Sequence, residues 1–307
     1  MKKKALILGG SGGLSGRLAV MAKETYEVWC VTRGIRPLPE GVHVLTVDRD
    51  DEEMFTKVIL EAGIKWDVVF DCICMNEYHA EQDIAVISKV SERLVVISTD
   101  SVYDPEKKDT PQSEEGEFVE ETGEPGACSY AGNKRKMEHV FLNYFSEENP
   151  KLKVTIFRPG HIYGPGFLPG CFPEHSRQAG LVARIKEGKP LFLVGEGIYL
   201  TQPIFVDDLA HAMIDCVEKE KTFWEIFCIG GPKAVENRQY YMAMGKALGT
   251  DVQIKEIPLE GYLEKHPEYA GHLCHRIYNL SKLRNTGVSL PATSLEEGMR
   301  KWLAGFQ

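Results

Sequence analysis

A chain of 307 residues, 43% hydrophobic and 26% charged, has ordinary globular composition and room for one large α/β domain or two smaller ones. Its formal charge of -9 and pI near 5.6 argue against a general nucleic-acid binder, which needs a basic footprint. No run of about 18 apolar residues is present, so no membrane-spanning helix is expected. The apolar run at 5–8, behind Lys2, Lys3 and Lys4, is too short for a secretory signal. Eight scattered cysteines without a C-x-x-C pair suggest reduced, mostly buried thiols in a cytoplasmic protein.

In chain order, residues 5–8 predict a strand, followed by a glycine turn and a helix over 14–22. The turn reads GGSGGLSG. The pattern G-x-G-x-x-G cannot be placed there, but Gly10, Gly13 and Gly16 fit G-x-x-G-x-x-G. With a strand before it and a helix after it, this loop is suited to a pyrophosphate. Gly10 permits the tight turn, Gly13 close approach of the anion, and Gly16 close helix–sheet packing, while free N–H groups around Ser11 and Leu14 face the ligand. Strands follow at 27–31 and 43–47, then a helix over 50–62, a strand at 68–73, a helix over 80–90 and a strand at Arg93–Ile97. Strands alternating with helices predict a doubly wound parallel sheet of the Rossmann type. The second strand ends in Thr32-Arg33-Gly34 without a carboxylate. A guanidinium at Arg33 suits a 2′-phosphate, which favours NADP over NAD.

Residues 104–126, rich in acid, proline and glycine, read as a solvated loop. A helix is predicted at 130–145, strands at 154–158 and 226–229, and a helix at 208–217. The boundaries drawn are 1–158 with about 203–230 for dinucleotide binding, and 159–202 with 231–307 for a smaller substrate-binding lobe.

Two further stretches carry chemistry: ISTDSVYD at 97–104, closing a strand, and SYAGNKRKME at 129–138, opening a helix. Tyr130 and Lys134, four apart, share one helical face. A lysine ammonium beside the phenol would lower its pKa and let it exchange a proton near neutral pH, with Thr99 holding the substrate oxygen.

Together these segments resemble an extended short-chain dehydrogenase/reductase of the NAD-dependent epimerase/dehydratase family. The resemblance also rests on Asp48, Ser98-Thr99, Arg158-Pro159, Tyr163-Gly164-Pro165-Gly166, the segment 204–210 and Tyr278 to Lys282. It implies Tyr130 as acid/base, Lys134 as its partner reaching the nicotinamide ribose, Thr99 in the hydroxyl position and Asp48 at the adenine amino group. It further implies a sugar or sugar-nucleotide-like substrate, a homodimer, and a lid formed by the acidic loop before Tyr130.

Epimerase and reductase chemistry rank above dehydration. Asp100 could serve as a general acid, but Ser101 stands where dehydratases carry a glutamate. The asparagine that nucleotide-sugar epimerases carry after the Arg158 strand is His161 here, and no arginine precedes Ile204; Arg177, Arg184 or Arg276 would have to supply that charge. The stretch 41–103 also resembles a branch that includes chloroplast RNA-associated proteins, so a cofactor-binding scaffold or RNA-associated protein is the alternative. The negative charge speaks against RNA as partner. His266, His272, Cys274 and His275 lack metal-site company, and no metal is expected.

Overall fold

The computed structural model describes residues 2–121, 129–171 and 173–306. The apolar runs become β1 (Lys3–Leu8), β2 (Tyr26–Thr32), β3 (His43–Thr46), β4 (Val68–Asp71), β5 (Arg93–Ile97), β6 (Lys153–Pro159) and the strand Glu225–Ile229. β4 and β5 are buried along their whole length, which is why they read as continuous apolar stretches rather than alternations. The spatial order is Glu225–Ile229, β6, β5, β4, β1, β2, β3, with every neighbouring pair parallel. The chain winds outward from β1 to β3 and then crosses back to β4. A crevice therefore opens between β1 and β4 at their carboxyl ends.

One face of the sheet is covered by α1 (Gly13–Ala22) and a later helix, Val206–Asp215, whose Leu18, Ala19, Leu209 and Met213 are fully buried. The other face carries α2 (Glu52–Glu61), α3 (Glu77–Gln82) and α4 (Tyr130–Phe145), with Phe55, Met137 and Phe141 in its core. α2 opens on Asp51, whose carboxylate accepts the Met54 N–H at 3.1 Å, and two glutamates complement its first turn. The helix predicted over 80–90 starts earlier and ends differently. Asn76 caps it by accepting the His79 N–H at 3.0 Å, and from Asp83 to Ile87 it widens into a π turn. That turn places the Asp83 carboxylate 2.9 Å from the Arg49 guanidinium.

A third core joins Tyr163, Leu181, Phe205, Tyr240, Tyr241 and Trp302 beyond the carboxyl edge of the sheet. Leu283 and Val288 instead pack into the sheet's own core. The segment around them thus packs on the sheet core rather than on the third core.

Through Glu121 many side chains of the acidic stretch are exposed, as expected, but its backbone is also strapped down. The Gln112 N–H donates to the Ile277 carbonyl (2.7 Å) and its carbonyl accepts the Asn279 N–H (2.8 Å). The Glu114 side chain accepts the Cys228 N–H at 2.9 Å, and the Arg135 guanidinium stacks 3.7 Å over the Phe118 ring. Residues 122–126, the remainder of the proposed lid, lie outside the described residues. Among the described residues no helix is long and apolar enough to cross a membrane.

Candidate active site

β1 runs straight into two glycines in the left-handed half of backbone space, Gly9 (φ 111°) and Gly10 (φ 116°), where other residues would be strained. A Cβ on Gly10 would lie 2.7 Å from the Cys30 sulfur, so the tight-turn role expected there has a steric cause. A Cβ on Gly16 would come 3.4 Å from the Gly10 carbonyl, which keeps α1 close to the turn. Gly13 differs from expectation: its absent side chain makes room for Phe167, whose ring lies 2.7 Å from where a Cβ would be. Gly166 presses on the same point, since its own Cβ would fall 2.9 Å from the Gly13 Cα. The glycine loop is thus a docking surface for the second lobe as well as a turn.

A cleft of about 590 Å³ opens here, lined by Ser11, Gly13, Leu14, Arg33, Asp48 and Phe167 among others. Gly10 and Gly16 shape it from below without lining it. The α1 N-cap is Gly12, with no side chain to satisfy the first-turn N–H groups. Those donors and the helix dipole offer an anion a seat, so the residues present fit a dinucleotide. At the far end Arg33 and Asp48, both exposed, lie 3.9 Å apart. The roles given to them separately in sequence fall on one patch.

Beneath that end sits a cluster that sequence reasoning missed. Arg49 bonds Asp71 and also donates to Asp83 (2.9 Å), Gln82 (3.0 Å) and the His79 carbonyl (3.1 Å), all buried. Burial and the neighbouring Asp71 push the Asp83 carboxyl well up, while Arg49 and the Asp83 proton hold Asp71 down against its own burial. The two acids behave as a pair sharing one proton. Donor atoms of Asp71, Cys74 and Asp83 lie within 4.8 Å of one another. Arg49 already pairs with both carboxylates, however, leaving only the Asp83 Oδ2 without a hydrogen-bond partner, and burial pushes the Cys74 thiol up. The signal was an aspartate ending an apolar strand (VVFD) shortly after the charged run VDRDD.

Thr99 closes β5 and caps the short turn Asp100–Val102, its hydroxyl accepting the Ser101 N–H at 3.2 Å. Tyr130 is the first residue of α4, held by the Ser129 cap, whose hydroxyl accepts the Gly132 N–H at 3.1 Å. Tyr130 is 52% exposed, and the Thr99 hydroxyl bonds its phenol. Lys134 lies one turn on and is buried. Its ammonium donates to the carbonyls of Cys74 (2.6 Å) and Ile97 (2.7 Å), at the ends of the two central strands.

Surrounding protein raises the pKa of the phenol, and the Thr99 hydrogen bond pulls it back. Burial, in turn, lowers the Lys134 pKa. Thr99, Tyr130 and Lys134 thus lie together at the end of β5.

Asp100 is corrected more sharply. It is 1% exposed and bound by Arg276 (2.6 Å), Lys108 (3.3 Å) and the Tyr278 hydroxyl. Burial alone would raise its carboxyl, but Arg276 first and then Lys108 hold it far below the usual carboxylate range. A carboxylate that stays ionised and is enclosed by these partners is a poor general acid. Of the arginines considered for an anionic substrate, Arg276 is therefore engaged, and Arg184 donates to the Pro190 carbonyl (2.8 Å). His161 is buried against the Tyr240 hydroxyl (3.3 Å), and burial lowers its pKa to about 3, so it stays neutral.

A doubly wound sheet with a glycine-loop crevice and a Thr/Tyr/Lys group at the adjacent strand end defines a dinucleotide-binding protein of the Rossmann class. The model of the NAD dependent epimerase/dehydratase family matches residues 5–230, and the chain belongs to that family. It is 23% identical over 266 residues to 2'-dehydrokanamycin reductase of Streptomyces kanamyceticus, covering 85% of this chain and 71% of that one. It is 26% identical over 263 residues to the chloroplast stem-loop binding protein of 41 kDa b of Arabidopsis thaliana, covering 81% of this chain but only 64% of that protein. Among solved structures, the UDP-glucose 4-epimerase of Thermotoga maritima with UDP-glucose superposes with a TM-score of 0.76 at 21% identity, over 99% and 98% of the two chains.

Proposed function

We propose that the protein is an NAD(P)-dependent oxidoreductase or epimerase that moves a hydride to or from a sugar or sugar-nucleotide-like substrate. The observation that carries this is a glycine-loop cleft that reaches Ile97 at the end of β5, whose carbonyl holds Lys134, with Thr99 two residues on and bonded to the exposed Tyr130. When bound, the nicotinamide gives or takes the hydride. Tyr130 gives or takes the proton at its phenolic oxygen, and Thr99 holds the substrate oxygen beside it. Lys134, fixed on two carbonyls, keeps a further N–H for a ribose hydroxyl. The buried, ion-paired Asp100 favours reduction or epimerisation over dehydration. The reductase relative points the same way. Likeness to a stem-loop binding protein supports the scaffold alternative, but the chain carries 45 acidic against 36 basic residues, opposite to what an RNA backbone attracts.

For the cofactor we propose NADP in preference to NAD, because Arg33 and Arg36 both line the adenosine end and β2 ends without a carboxylate. Arg33→Asp should lower affinity for NADPH at least tenfold while leaving NADH within about threefold, a difference of roughly 1–2 kcal/mol for a charge-assisted contact. Equal effects on the two nucleotides, measured by fluorescence titration, would remove the preference. The reaction class is tested by incubating the enzyme with candidate sugars and following absorbance at the reduced-nicotinamide band.

A further inference from the structure

His79 is a buried histidine that lines the glycine-loop cleft together with Asp50, Ile73 and Met75. These residues come from three pieces of chain: Asp50 from the loop after β3, Ile73 and Met75 from the loop after β4, and His79 from α3. The imidazole bonds both loops. Its Nδ1 accepts the Met75 N–H at 3.1 Å, and its Nε2 lies 2.8 Å from the Asp50 carboxylate. An amide N–H donates only to a lone pair, so Nδ1 is bare and Nε2 carries the ring proton, which it donates to Asp50. His79 holds the same β4 loop through its backbone, since its N–H donates to the Asn76 side chain (3.0 Å). The Ile73 carbonyl stands 3.2 Å from Nδ1, ready to accept a proton there. A second ring proton would thus turn Nδ1 from Met75 to Ile73, breaking one loop contact and making another. Met75, 40% exposed at the cleft, is the residue released.

We propose that neutral His79 is a positioning residue for the dinucleotide: it ties the loop after β4 to the loop after β3 and so sets Met75 as a wall of the adenosine end. A second ring proton undoes that tie and weakens nucleotide binding. The charged groups facing the ring are Arg49 and Asp50 from the loop after β3 and Asp71 at the end of β4. On its own helix Glu77 is paired with Lys136 of α4 (3.7 Å). Burial first, and then the Arg49 charge, hold the ring below its ordinary pKa, so the fold keeps it neutral at about pH 7. The added charge would do little to draw phosphates, because the Asp50 carboxylate 2.8 Å away offsets it. Loss of the Met75 contact therefore decides the sign. This inference rests on the cleft being a dinucleotide site, and its test separates the two.

The probe is ADP-ribose, which lacks the second phosphate ionisation that a 2′-phosphate shows near about pH 6, so the ligand itself does not titrate over the range used. By calorimetry, its Kd for the native protein should rise about threefold to tenfold between about pH 7.5 and 5. His79→Asn puts an amide oxygen where Nδ1 stands; it should bind within about threefold of native at neutral pH and stay flat on acidification. His79→Gln reaches Asp50 but offers no acceptor at the Nδ1 position, and should bind about tenfold more weakly across the range. Should His79→Gln not fold, the Met75 amide resonance of the native protein gives the reading, since it should move along the same titration as the His79 ring. The proposal is overturned by a pH profile shared between the native protein and His79→Asn, or by tighter native binding in acid. Native-like affinity in His79→Gln, or a Met75 amide that ignores the ring, overturns it equally. If the native protein binds no ADP-ribose at any pH, the dinucleotide reading itself falls, and this inference with it.

Discussion

Tyr130→Phe is expected to lower kcat by a factor of about 10² to 10⁴, the usual contribution of a positioned acid or base. The side chain is half exposed and sits at the very start of α4, so removing one hydroxyl leaves no cavity and should not affect folding. Nucleotide affinity should stay within about twofold, because the glycine loop, Arg33 and Asp48 belong to other elements. Thr99→Val, which removes the hydrogen bond to the same phenol, should show a smaller fall in kcat with a visible upward shift of the basic limb of the pH profile. The measurement is steady-state kinetics on whichever sugar the nucleotide screen identifies, alongside binding of the reduced nucleotide. Retained activity in the phenylalanine variant would remove Tyr130 from the chemistry.

The largest effect on stability is expected at Asp100. Replacing it with asparagine leaves the Arg276 guanidinium and Lys108 ammonium, both nearly enclosed, without their counter-charge. Breaking a buried ion pair from one side costs about 3–5 kcal/mol, and denaturant melts should show a loss of that order. The pH dependence carries a sign. Asp100 has a folded pKa depressed below its unfolded value, so its contribution is complete above about pH 4 and is lost as pH falls further. His161 adds to acid lability earlier: neutral in the fold down to about pH 3, it favours the unfolded chain as pH drops below about 6.5. The asparagine variant should therefore differ from the native protein by several kcal/mol at pH 7, with the gap narrowing below pH 4. A variant as stable as the native protein at neutral pH would mean that Asp100 is not the anchor of this cluster.

The sheet was legible in the sequence because its strands are buried on both faces, and such strands leave uninterrupted apolar runs such as RLVVI and VVFD. The glycine loop and the Tyr130/Lys134 pair were legible because their spacing is local, within one turn or one helix, and Thr99 because it follows an apolar strand. What escaped was long-range. Nothing near Asp100 in the chain announces Arg276 and Tyr278, which arrive from 176 and 178 residues away. At 104–121 acid, proline and glycine suggested solvent exposure, which many side chains have, but gave no sign of the tertiary hydrogen bonds that fix the backbone at Gln112. Gly13 was assigned to the right loop for an incomplete reason, since Phe167 approaches it from a segment whose irregular pattern gave no element to place.

The strapped course of residues 104–121 has a consequence for how the native protein meets proteases. Its composition resembles the tips that proteases ordinarily nick, but cleavage needs about a dozen residues drawn out into an enzyme's groove. Here the Gln112 backbone is tied on both sides to 277–279, and the Arg158 guanidinium grips the Glu114 carbonyl at 2.6 Å. Glutamyl or lysyl endoproteases should thus leave this acidic segment whole at concentrations that trim exposed ends, and cutting within it should appear only as the Asp100 cluster comes apart. The same reasoning makes it a poor place to insert a tag and a good place to read the unlocking of the carboxyl-terminal chain.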